Sequence, residues 1–177
     1  MKWFLMFGLG ILSCLAGCRS AQSTASIPAV KNFEVEKYLG QWYEIARLPH
    51  RFERDMIQVT ADYTLREDGK VAVLNAGWRD GKKKEAHGVA HLKGDSDIGE
   101  LKVSFFWPFY GDYRIIWLEP DYSSAIVTSS TKDYLWILAR ASMLDKQLLD
   151  DYLDKIRLWG FDITKLEYPQ ENLEVKR

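Results

Sequence analysis

From Gly40 to Arg140 the sequence is a succession of short runs with a period of two, separated by turns too short to hold a crossover helix. The clearest run is Ile57-Gln58-Val59-Thr60-Ala61-Asp62-Tyr63-Thr64-Leu65-Arg66, where apolar and polar residues alternate without a break, as in a half-buried antiparallel strand. Glu67-Asp68-Gly69-Lys70 follows, and Asp-Gly is a strong hairpin signal. Further runs fall at 40–49, 71–78, 85–92, 101–107, 113–118, 124–129 and 134–140. Eight strands joined in sequence order predict an all-β fold, an eight-stranded up-and-down antiparallel β-barrel, because closure removes the exposed strand edges. A barrel of this size has room for one small ligand.

The last run is apolar on both faces, with Leu135, Ile137 and Ala139 on one and Tyr134, Trp136 and Leu138 on the other, so something must cover its outside. Ser142 with Asp145 three residues on reads as a helix start. Leu148, Leu149, Tyr152, Leu153, Ile156 and Trp159 then recur at helical spacing, and Gly160 stands at the stop. The spacing predicts one C-terminal helix, about 143–158, packed on the barrel's outer face. Residues 32–39 read as a helical turn before the first strand, and 166–168 as a short ninth strand.

If the strands go up and down, the connections alternate between two poles. The start of the first strand, the turns at 67–70, 93–99 and 119–122, and the end of the last strand share one pole. Gly40, Trp42 and Arg140 therefore meet there, and an Arg laid over a Trp face gains roughly 0.5–2 kcal/mol. That pole is expected to be the closed floor. The other carries loops at 49–56, 79–85, 108–112 and 129–133, with Phe52, Met56, Trp107, Phe109 and Tyr110 as an aromatic rim. Arg51, Arg54, Lys82, Lys83, Lys84 and Arg114 make this mouth basic.

Residues 1–17 have the layout of a cleaved signal: a basic Lys2, an apolar stretch from Trp3 to Leu12, then Leu15-Ala16-Gly17 before Cys18. The apolar stretch is too short to span a bilayer, which needs about 20 residues. Leu15-Ala16-Gly17-Cys18 resembles the lipobox of bacterial lipoproteins, which implies cleavage before Cys18 and its acylation; Arg19, rather than Asp, points to the outer membrane. Residues 18–31 then read as the lipidated Cys and a flexible tether, and 32–177 as the barrel domain. Cys14 leaves with the signal, so no disulfide and no internal thiol nucleophile are expected. The net charge of −1, or −2 once Lys2 is lost, excludes the basic footprint of a nucleic-acid binder.

Gly40-Gln41-Trp42-Tyr43-Glu44, Asp121-Tyr122 and Leu138-Ala139-Arg140, in that order behind a lipobox, resemble the lipocalins, and in particular their bacterial outer-membrane lipoprotein members. The stretches 105–111 and 133–138 carry the closer likeness. The resemblance implies binding, storage or transport of an apolar or amphipathic lipid, a fatty acid or lysophospholipid, in the cell envelope. Its partners would be that lipid, the membrane through Cys18 and, in a homodimer, a second copy of the chain. Projecting the alternation inward from Trp42 assigns the ligand wall to Ala46, Val59, Asn75, Phe105, Trp107, Tyr113, Ile115, Trp117, Tyr134 and Trp136, with Glu44 also inward. Small residues Ala61, Gly77, Ala86, Gly88 and Ala90 argue for a real cavity over a filled barrel, the structural alternative. No Ser-His-Asp set or paired-carboxylate motif suggests catalysis, and no cofactor is called for. His87 and His91 would lie roughly 13 Å apart on a strand, so no metal site is assigned.

Overall fold

The computed structural model describes residues 21–170. A short helix α1 (Val35–Tyr38) leads into β1 (Gly40–Arg47), β2 (Ile57–Leu65), β3 (Val71–Arg79), β4 (Lys82–Leu92), β5 (Glu100–Phe106), β6 (Phe109–Leu118), β7 (Ser124–Thr128) and β8 (Leu135–Ala139). Each strand pairs antiparallel with the next, and β8 pairs back onto β1, closing the barrel. The helix α2 (Lys146–Leu158) and a 3₁₀ turn (Ile163–Lys165) are the last elements of the described residues.

The strand order and the single long helix agree with the periodicity. The helix begins at Lys146 and not at 143, because the Asp145 carboxylate, rather than Ser142, caps it by accepting from the backbone N–H groups of Gln147 and Leu148. Two predicted turns are shorter than expected: β4 starts at Lys82 after an Asp80-Gly81 turn, and β6 at Phe109 after Trp107-Pro108. The ninth strand reduces to one bridge between Arg47 and Glu167.

Two apolar layers hold the molecule. Outside, Ile45, Ala46, Ile116, Ile126, Leu135, Ile137 and Ala139 are buried beneath Tyr152 and Ile156 of α2. A polar lock fixes the helix: the Tyr152 hydroxyl contacts Ser124 Oγ at 2.7 Å and donates to Glu119 Oε1 at 2.8 Å. The same carboxylate oxygen accepts from Trp117 Nε1 at 2.7 Å. Inside, Trp42, Tyr63, Val71, Val73, Ala90, Leu101, Ile115, Val127 and Leu138 form the second layer, capped from below by Phe33 and Tyr38.

Where the expected tether is described, it is not free. Residues 21–31 run along the barrel wall from the floor loop, where Lys31 bridges Ile98, to the β7–β8 loop, where Ser23 bridges Thr131. Arg114 is the clamp, donating to the Thr24 and Ile27 carbonyls, to Thr24 Oγ1 and to Glu100 Oε1, each at 2.8 Å. It is buried, which removes it from the basic mouth where the sequence had put it. Cys18 and the signal region lie outside the described residues.

Candidate functional site

The barrel interior holds an apolar cavity of about 100 Å³. So small a volume suits a slender guest such as one alkyl chain. Val71, Val73, Ala90, Leu101, Val103 and Leu138 supply most of the aliphatic wall, and Phe105, Trp136 and the rings of Tyr38, Tyr63 and Tyr113 its aromatic part.

Arg140 and Trp42 meet at the floor pole. The Arg140 guanidinium carbon lies 4.0 Å from the Trp42 ring centroid, and Trp42 is fully buried. Trp42 Nε1 donates to the Tyr38 carbonyl at 2.8 Å, tying α1 under the barrel. Gly40 sits at φ +88°, where a side chain is strained, and a Cβ there would meet Arg140 Nη1 at 3.5 Å. Above Trp42 the hydroxyls of Tyr38 and Tyr63 both contact that of Tyr113, at 2.8 and 3.0 Å. Burial pushes all three phenols above the ordinary tyrosine range, so they stay neutral. Three hydroxyl protons serve two contacts, which leaves one phenol able to donate to a guest.

A charged cluster occupies the cavity wall nearer the mouth. Arg47 Nη1 donates to Glu44 Oε1 at 2.7 Å, and both side chains are buried. Arg47 Nη2 donates to the carbonyls of Glu53 and Met56, and Nε to Glu167 Oε2, so one guanidinium pins the mouth loop and the C-terminal segment to β1. Burial, and then the nearby Glu53 carboxylate, push Glu44 well above the usual carboxylate range against the pull of Arg47. Burial also opposes ionisation of Glu53, but His50 and then Arg47 outweigh it and hold Glu53 low. His50 Nε2 lies 2.9 Å from Glu53 Oε2 without the alignment of a hydrogen bond. Asn75 Oδ1 is buried, lines the same cavity and has no hydrogen-bond partner in the protein.

Of the ten expected wall residues, Asn75, Phe105, Tyr113 and Trp136 line the cavity. Ala46 and Trp117 do not, and the cause is the same in both strands. A bulge between Glu44 and Ala46 in β1, and another between Ile115 and Trp117 in β6, each add one residue and invert the faces that follow. Ala46 and Trp117 therefore point outward beneath α2, where Lys155 Nζ sits 4.5 Å from the Trp117 ring centroid. The β1 bulge is also what turns Arg47 inward, and strict alternation could not find it.

Val59 and Ile115 are buried in the barrel but off the cavity wall. Tyr134 stacks on Trp136 at 5.9 Å, beside the cavity rather than in its wall. Trp107 is 83% exposed, because β5 ends at Phe106 and the next residue is already in the turn. Two of the small residues open no space for a guest: a Cβ at Gly77 would meet Met56 Cε at 2.8 Å, and one at Gly88 would meet Phe105 at 2.9 Å. Ala86 is exposed. The missed wall positions Val71, Val73, Leu101 and Val103 are the plain period-two partners of Asn75 and Phe105, so the signal for them was present.

A closed eight-stranded barrel with a Trp-Arg floor, one helix outside and an apolar bore matches the sequence model of the lipocalin-like domain over residues 33–171. The chain belongs to the lipocalin-like family. Among lipocalin-like relatives it is 44% identical to the outer membrane lipoprotein Blc of Vibrio cholerae over 149 residues, covering 82% of this chain and 87% of that one. It is 40% identical to the outer membrane lipoprotein Blc of Escherichia coli strain K12 over 159 residues, or 89% and 90% of the two chains. Temperature-induced lipocalin-1 of Arabidopsis thaliana is 38% identical over 147 residues, 77% of this chain and 78% of that one. In structure the lipocalin barrel resembles insecticyanin from Manduca sexta, with a TM-score of 0.68 at 21% identity over 81% of this chain and 83% of that one.

Proposed function

We propose that this lipocalin binds and carries a single-chain lipid, a fatty acid or lysophospholipid, in the bacterial cell envelope, held at the outer membrane by an acylated Cys18. The narrow apolar bore above a sealed floor carries the reading: Phe105, Trp136, Leu138 and their aliphatic neighbours bury a chain at about 0.8 kcal/mol per methylene. The Tyr38–Tyr113–Tyr63 hydroxyls and Asn75 Oδ1 provide polar contacts to a guest or to water around it. The names of the Vibrio cholerae and Escherichia coli relatives, outer membrane lipoproteins, support the location. A multiply acylated cysteine anchors stably where a single chain does not.

Catalysis has no support in the cavity, whose buried carboxylates are engaged by Arg47 and His50. Mass spectrometry of lipid extracted from the purified protein is the direct test. Single-chain lipid at near-stoichiometric amount is expected; protein free of lipid, and unable to take up added fatty acid, would leave the barrel as a structural scaffold.

A further inference from the structure

The mouth pole carries an aromatic surface that the cavity does not use. Phe106, Trp107 and Phe109, at the tip of the β5–β6 hairpin, are 77%, 83% and 77% exposed. Phe52, in the mouth loop between β1 and β2, is 59% exposed. Single exposed apolar residues are ordinary, but four large rings at one pole, three of them within four positions, form the kind of patch that marks a binding surface.

The path of the N-terminal segment says what lies opposite. It climbs the barrel wall away from the floor and ends its described course beside the β7–β8 loop, where Lys132 N–H donates to the Gln22 carbonyl at 2.8 Å. That loop belongs to the mouth pole. Cys18 is three residues before Ala21, a span of at most about 10 Å. An acylated Cys18 therefore holds the mouth, and not the floor, against the membrane. Arg51, Arg54, Lys82 and Lys84 are exposed around the same pole, with Lys83 paired to Glu85 at 2.6 Å. Phe and Trp beside cations suit the headgroup layer of a bilayer containing anionic lipid.

We propose that the aromatic mouth docks onto the phospholipid surface that carries the anchor, with Phe106, Trp107 and Phe109 seated in the headgroup region, so that the cavity opens onto the bilayer. A single-chain lipid would then pass between membrane and barrel without crossing water. This rests on the acylation of Cys18 proposed above.

The mature chain with acylated Cys18 at its start, reconstituted into phosphatidylethanolamine–phosphatidylglycerol vesicles with tail-brominated phospholipid, tests it. A blue-shifted, quenched tryptophan component that disappears in Trp107→Phe and persists in Trp117→Phe is expected. Vesicle-bound protein whose Trp107 emits as in water overturns the docking while leaving the anchor intact. Protein that stays off the vesicles overturns the anchor, and the docking with it. A Trp107 shielded in the absence of vesicles, in proportion to protein concentration, assigns the patch to contact between copies and overturns the proposal.

Discussion

Arg140 and Trp42 are ninety-eight positions apart in the sequence and in contact in the fold, the guanidinium carbon 4.0 Å from the ring centroid. Arg140 also donates to the carbonyls of Gln41, Lys37 and Leu39 at 2.8–2.9 Å, so it closes the floor and fastens α1 to it. Trp42→Ala is expected to cost about 3–5 kcal/mol, the cost of emptying a fully buried aromatic site. Arg140→Lys keeps the charge but loses the planar fork, and about 1–3 kcal/mol is expected from the unmet carbonyls. Urea midpoints measure both; an unchanged midpoint for either would remove that residue from the floor.

Arg47 is the counterpart at the other end of the cavity. Its replacement by Met leaves the buried Glu44 carboxyl without its partner, and the carbonyls of Glu53 and Met56 without a donor. A loss of about 3–5 kcal/mol is expected, as for a broken buried ion pair. Hydrogen exchange should rise first in the mouth loop, residues 48–56.

Glu44 makes stability depend on pH in a direction that can be worked out. Its pKa in the fold is raised, first by burial and then by Glu53, so the folded protein holds this proton more tightly than the unfolded chain. Stability therefore falls as pH rises from the usual carboxylate range through the raised value. Glu53 is lowered, so its contribution is present above the usual range and is lost as pH falls through its lowered value. Glu44→Gln keeps an acceptor for Arg47 and removes the proton. It should match the wild type near about pH 5 and exceed it near about pH 8 in thermal melts. Parallel curves for the two proteins would show that Glu44 carries no such proton.

Cys18→Ala should leave the chain unacylated and shift it from the membrane to the soluble fraction. Unchanged membrane fractionation would reject the lipobox reading.

The barrel was legible because period-two alternation and turn chemistry are local properties, and the pairing of Trp42 with Arg140 followed from counting strands. The helix was legible from its apolar spacing, though its cap was displaced by three residues because Ser142 and Asp145 are both good caps. The site was legible only where alternation ran unbroken. Asn75 and Tyr113 fall there, whereas Ala46 and Trp117 follow bulges that leave no mark in the sequence. Trp107 failed for a different reason, since the strand ends one residue earlier than its aromatic run. The segment 21–31, aperiodic and rich in small and polar residues, reads as a tether, and what holds it to the wall is long-range: the Arg114 clamp and backbone bonds to Ile115, Ser130 and Lys132.

The central claim is that a lipid tail occupies the bore beside Trp136. Quenching of tryptophan fluorescence by a tail-brominated fatty acid, in the wild type, Trp136→Phe and Trp117→Phe, tests it most directly. Saturable quenching that is mostly lost in Trp136→Phe and kept in Trp117→Phe, whose ring lies under α2, is the predicted result. Quenching that is absent, or undiminished in Trp136→Phe, would contradict it.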